Sequence, residues 1–225
     1  MKYEIQGGQL PVVECQLEAG EAMLTSSGGM SWMSDNLEMS TGVKGGLAKG
    51  IKRTISGESM HMTTYTAQGG PGMIAFASSF PGSIRAFELA AGQSIICQRS
   101  SFLASTVSVD LEIFFQRKFG TGLFGGEGFI MQRLTGPGMV FVEIDGAAIE
   151  YELAAGQTMK IDTGHVAMMD ASVTMDITRV KGFKNVMFGG EGLFLTTLTG
   201  PGKILLQSMP AGKIASKIAP FMGTA

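Results

Sequence analysis

The sequence predicts an all-β protein of three homologous strand-rich modules closed about a pseudo-threefold axis. Three observations lead there. Residues 82–145 and 146–209 align without a gap at an offset of 64, with a third of positions identical. The matching residues are mainly turn formers: Glu88-Leu89-Ala90-Ala91-Gly92-Gln93 returns as Glu152-Leu153-Ala154-Ala155-Gly156-Gln157, and Leu134-Thr135-Gly136-Pro137-Gly138 as Leu198-Thr199-Gly200-Pro201-Gly202. Short apolar runs of strand length lie between those turns.

The last repeat reads most plainly. Ile149, Tyr151 and Leu153 alternate with Glu150 and Glu152 before a turn at Ala155-Gly156, the pattern of a half-buried strand. Met159 and Ile161 form a second strand, and Val173, Met175 and Ile177 a third. Leu193 to Leu198 and Ile204 to Leu206 read as more fully buried strands on either side of Gly200-Pro201-Gly202. The middle repeat matches with Val107, Val109, Leu111 and Ile113, then Phe129 to Leu134, then Met139 to Val142.

Residues 1–81 keep the landmarks Leu17-Glu18-Ala19-Gly20 and Gly70-Pro71-Gly72. They add a Gly- and Lys-rich insertion at 41–55, where the Leu47, Ile51 and Ile55 spacing allows a short helix or an ordered loop. Residues 210–225 form a tail whose Ile214, Ile218 and Phe221 fall at helical spacing, which predicts a short amphipathic helix docking on the sheets. A unit of some 64 residues cannot cover both faces of its strands, whereas three around a shared axis can. A linear stack would leave an open edge at each end.

Composition narrows the function classes. The 225 residues are 44% hydrophobic and 16% charged, with 33 Gly and a formal net charge of −2, so no global pull draws the chain to nucleic acid or anionic membrane. Cys15 and Cys97 are too few for a disulfide framework and read as buried free thiols, consistent with a cytoplasmic protein. The N-terminus carries no basic stretch leading into an apolar run, and no apolar segment reaches the roughly 18 residues of a spanning helix.

Two sets of residues are candidates for a site. Glu58, Glu127 and Glu191 hold equivalent places in the three repeats, each after a Gly-containing turn and before a strand. Such a carboxylate can accept hydrogen bonds from the N–H groups of its own turn, or three about one axis can form a cage for a cation or small polar ligand. Upstream of them lie Lys44, Lys49, Lys52 and Arg53, then Arg117 and Lys118, then Lys181 and Lys184. Repeats related by an axis would gather these cations on one face, a surface for anionic lipid, RNA or protein. The plainer account is that they are solvated loop residues, as surface charges usually are. Only Phe119 and Phe183 offer equivalent aromatics for base stacking.

Other chemistry lacks its residues. Gly125-Gly126-Glu127-Gly128 leads into a strand and has no Gly-Lys-Ser/Thr to reach phosphates. His61 and His165 stand at non-equivalent positions and build no zinc motif. The 17 methionines, including Met60-His61-Met62 and Met168-Met169, fit core filling better than soft-metal ligation. No serine lies in a nucleophile elbow, so the reading is non-enzymatic, with no cofactor: a β scaffold that binds or assembles through its basic loops, or a ligand cage between modules, with homo-oligomerisation open.

The Leu-Ala-Ala-Gly steps, the basic insertion leading to Arg53-x-x-Ser-Gly-Glu58-Ser, the Gly-Gly-Glu-Gly turns and the Gly-Pro-Gly turns together resemble the altered inheritance of mitochondria protein 24 family over nearly the whole chain. The resemblance implies a fold similar to the tryptophan RNA-binding attenuation protein, with sandwich modules repeated in one chain. It implies no established activity for bacterial members. The mitochondrial relative is implicated in inner-membrane organisation, but this chain lacks the presequence of that relative. The attenuation protein's tryptophan- and RNA-binding residues have no position-by-position match here, so the resemblance supplies no site residue.

Overall fold

The structure, a computed structural model, describes residues 1–26, 28–41, 62–117, 128–179 and 194–221. Apart from one short helix and three 3-10 turns, the described elements are strands. The first stretch contributes β1 (Lys2–Gln6), β2 (Val12–Leu17), β3 (Ala22–Ser26), β4 (Trp32–Met33), β5 (Leu37–Thr41), β6 (Met62–Ala67) and β7 (Gly72–Ala77). The second contributes β8 (Gly82–Leu89), β9 (Ser94–Gln98), β10 (Phe102–Thr106), β11 (Asp110–Arg117), β12 (Phe129–Thr135) and β13 (Gly138–Asp145). The third contributes β14 (Ala148–Leu153), β15 (Thr158–Asp162), β16 (Val166–Asp170), β17 (Thr174–Arg179), β18 (Phe194–Thr199) and β19 (Gly202–Gln207). The helix α1 (Ala211–Ile218) closes the series. β15 and β16 begin and end 64 residues after β9 and β10.

Among the described residues all pairing is antiparallel, in four sheets ordered β1-β2-β7-β4, β5-β6-β3-β10-β13-β8, β11-β12-β9-β16-β19-β14 and β15-β18-β17. The second sheet continues from β3 to β10 and the third from β9 to β16, so each of these sheets crosses a repeat boundary. The joins remove edges that short three-stranded sheets would otherwise expose.

Among the described residues, buried apolar side chains fall into three cores. One lies between the first and second sheets around Cys15, Tyr65, Phe76 and Phe141, the next between the second and third around Cys97, Phe102, Leu134 and Val142. The last lies between the third and fourth sheets around Ile96, Phe129, Ile177 and Leu198. The middle sheets are thus covered on both faces: Phe141 enters the first core while Val140 and Val142 enter the second. Each such side chain contributes roughly 1.5–3 kcal/mol when removed from water.

The turns repeat at atomic detail. Glu21 Oε2 accepts the Glu18 N–H at 2.8 Å, Gln93 Oε1 the Ala90 N–H at 3.1 Å and Gln157 Oε1 the Ala154 N–H at 2.9 Å. Gly136 and Gly200 are required by close approach: a Cβ at Gly136 would lie 2.6 Å from the Leu89 carbonyl oxygen, and at Gly200 2.5 Å from that of Leu153. Both Gly-Pro bonds that follow are cis.

Three expected strands differ locally. β14 is not half-buried, since Ile149 and Tyr151 are 43% and 44% exposed and only Leu153 is covered. Val107 and Val109 do not begin a strand; the Val109 N–H bonds the Thr106 carbonyl at 3.2 Å in a turn, and β10 precedes it. Val173 likewise sits in the turn before β17, with its N–H on the Asp170 carbonyl at 3.1 Å. The tail is helical as expected, but its apolar stripe is not covered, with Ile218 49% and Phe221 88% exposed.

Candidate functional site

The three pairs β5–β6, β11–β12 and β17–β18 are hairpin stems, and the predicted site residues fall in the segments between their strands. Lys44, Lys49, Lys52, Arg53, Glu58, Lys118, Glu127, Lys181, Lys184 and Glu191 lie outside the described residues, as does the 42–55 portion of the insertion. Arg117, at the end of β11, is described. Its guanidinium Nη1 donates a 2.7 Å hydrogen bond to the Ile177 carbonyl oxygen on β17, so the second stem reaches the third. Phe115 and Phe129 from the second stem meet edge to face at 6.5 Å and share the last core with Ile177 and Phe194 of the third.

A groove of about 330 Å³ lies between β8 and the third sheet. Phe87, Leu89, Ile95, Met168 and Leu205 give it apolar walls, and Glu88, Glu150, Asp170 and Lys203 a charged rim. Lys203 Nζ is 3.2 Å from Glu150 Oε1, and its backbone N–H donates to Asp170 Oδ2 at 2.8 Å. Glu150, followed by Glu152 and Asp170, raises the Lys203 pKa, so this ammonium stays charged. β8 is the edge strand of its sheet.

Two further polar clusters are structural. Glu143 is buried on β13, where its Oε2 accepts the Ser78 hydroxyl at 2.9 Å and the Ser79 N–H at 3.0 Å, holding the segment that leads into β8. Burial raises the Glu143 pKa despite those two bonds, and burial also raises that of Asp145 two positions on. At the tail, Lys213 Nζ stands 2.8 Å from Asp162 Oδ2 and 2.8 Å from His165 Nε2. A lysine only donates, so His165 Nε2 accepts and its Nδ1–H donates to the Gln207 carbonyl at 2.7 Å. This chain of bonds pins the start of α1. The sequence pointed to no partner for His165, because Lys213 lies 48 residues away.

Cys15 and Cys97 are free, buried and in different cores, and burial pushes both thiols up to about 12. Among the described residues no group of three His, Cys, Asp or Glu side chains could hold a metal ion, and no helix is long and apolar enough to cross a membrane.

These features define an all-β protein of several antiparallel sheets around three cores, with a cationic link between hairpin stems and a groove at a sheet edge. The chain belongs to the Mitochondrial biogenesis AIM24 family, whose model matches residues 3–209. It is similar to an uncharacterized protein of Streptococcus pyogenes, at 31% identity over 224 residues, spanning 96% of this chain and 88% of that protein. It is also similar to a Streptococcus pyogenes protein of known crystal structure, with a TM-score of 0.79 and 30% identity over 98% of this chain and 99% of the other.

Proposed function

We propose that this chain is a non-enzymatic assembly scaffold in the cytoplasm. In this reading residues 1–81, 82–145 and 146–209 are three sandwich modules about a pseudo-threefold axis, an arrangement like that of the tryptophan RNA-binding attenuation protein. Modules so related would gather the cations Lys44, Lys49, Lys52, Arg53, Arg117, Lys118, Lys181 and Lys184 on one face, which meets an anionic partner.

The observation that carries the reading is the bond from Arg117 to the Ile177 carbonyl, which sets the stem of one basic hairpin against the stem of the next. The shared core of Phe129 and Ile177 beneath it supports the same juxtaposition. The equivalent turn bonds at Glu21, Gln93 and Gln157 support the count of three modules. The buried, unpaired thiols fit a reducing compartment.

Binding to anionic vesicles and to RNA across a salt series tests this. Affinity that falls as salt rises, and falls further in the Lys52→Glu plus Lys118→Glu variant, is the expected result. Indifference to both changes rejects the reading.

A further inference from the structure

The groove beside β8 has a counterpart elsewhere in the molecule, and the counterpart is filled. β2 pairs with β7 as β8 pairs with β13, and each first strand ends in a leucine, Leu17 or Leu89, before the turn closed by Glu21 or Gln93. Against the outer edge of β2 lies β1, antiparallel, with Lys2 opposite Gln16 and Tyr3 opposite Cys15. The Met1 side chain packs on the first core, and its amino group is 2.8 Å from Glu21 Oε1. The Tyr3 ring meets Phe141 edge to face at 5.1 Å. At the groove, Leu205 stands where Phe141 stands in the filled arrangement, Gln93 replaces Glu21, and the edge of β8 carries no described strand.

We propose that the groove binds an extended segment of a partner protein, added antiparallel to β8 as β1 is added to β2, with a basic residue opposite Glu88 flanked by large apolar residues. Four observations set that chemistry. The residue in the place of Tyr3 lies opposite Phe87 and seats on Leu205 and Met168, which form an apolar wall. The residue in the place of Lys2 lies opposite Glu88, where β2 has only the neutral Gln16, so the charge match is stronger here than in the filled groove. Of the other rim acids, Glu150 and Asp170 outnumber Lys203, and the rim keeps a negative balance that favours a cation. Gln93 lacks the carboxylate that Glu21 offers to a terminal amino group, which selects an internal segment over a chain terminus. Main-chain bonds to the edge supply affinity, and the two side-chain seats supply specificity. None of these contacts involves the hairpin stems, so the groove stands apart from the scaffold reading.

Titration of the ¹⁵N-labelled full chain with a blocked eight-residue peptide alternating Leu, Lys, Tyr, Thr and Ile, followed by amide shifts, tests it. Expected are shifts at residues 86–89 and 203–205, unchanged β1 amides, and binding weakened about tenfold both by Glu88→Lys and by a peptide with Glu in place of Lys. Glu88 is exposed, so this variant leaves the fold intact. No shifts at millimolar peptide overturn the proposal. So do shifts confined to residues 2–17, which would mean displacement of β1, and so does undiminished binding when only one member of the charge pair is reversed. A null result in the vesicle and RNA series leaves these outcomes unaffected, which separates the two proposals.

Discussion

Arg117 on β11 and Ile177 on β17 are 60 residues apart in sequence and joined by a 2.7 Å hydrogen bond from a guanidinium to a backbone carbonyl. The carbonyl belongs to a stem in the next repeat, so the bond fixes the approach of two hairpins that the chain does not connect directly. Arg117→Met keeps the length of the aliphatic stem and removes the donor. The expected cost is about 1 kcal/mol in urea unfolding, with Arg117→Lys intermediate. An unchanged midpoint for Arg117→Met would show that the bond carries no stability.

Gly136 and Gly200 answer the same geometric demand in two repeats. A methyl group at either would press on two backbone carbonyls, which cannot move aside as a side chain can. Gly136→Ala and Gly200→Ala are each expected to lower stability by about 1–3 kcal/mol, with similar values at the two sites. Thermal unfolding of the pair measures this, and a neutral effect at one site only would break the equivalence.

Glu143 gives the protein a pH dependence with a definite sign. Burial raises its folded-state pKa, so between the ordinary glutamate value and the raised one the folded state holds more protons than the unfolded state. Stability is therefore greatest below the ordinary value and declines as pH rises through the raised one. Glu143→Gln keeps an acceptor for Ser78 and Ser79 and is expected to flatten the decline, leaving the part due to Asp145. Glu143→Ala leaves the Ser79 N–H without its acceptor, while the Ser78 hydroxyl keeps the Phe80 carbonyl at 2.9 Å, and is expected to cost about 1–3 kcal/mol at low pH. Denaturation series at several pH values read out both, and a slope unchanged in Glu143→Gln would refute the assignment.

The two thiols are held near 12 by burial, and only a thiolate attacks a disulfide reagent. Neither Cys15 nor Cys97 is expected to react with an aromatic disulfide in the folded protein, and both are expected to react in denaturant. Rapid labelling of either under native conditions would contradict the burial.

How much of this was legible in the sequence depends on what kind of contact each feature makes. The turns were legible because Gly136-Pro137-Gly138 and its copy answer local geometry, and β15 because one of its faces is wetter than the other; β14 shows in its apolar alternation although Ile149 and Tyr151 stay exposed. β10 and β16 were not, since Phe102 to Ser105 and Val166 to Met169 are buried in succession and show no alternation. The crossing of sheets between repeats leaves no periodic trace either. At the site, the basic clusters could be read directly, but the partner of Arg117 is a main-chain oxygen that no side-chain pattern marks. The groove was missed as well. Two signals pointed to it: the Met1-to-Ile5 segment has no copy in the later repeats, and Glu21 stands where they have Gln93 and Gln157.

Closure of the three repeats is the claim on which the scaffold reading rests, and distances between the stems test it most directly. Leu37, Val109 and Val173 each donate an N–H to the carbonyl three residues back, which makes Ser40, Glu112 and Asp176 equivalent exposed positions. Cysteines introduced there in pairs can carry spin labels, because Cys15 and Cys97 are buried. Closure about a threefold axis requires the three label-to-label distances to agree within the width of the labels' own distributions. One distance far longer than the other two would mean an open row of sheets and would contradict the account.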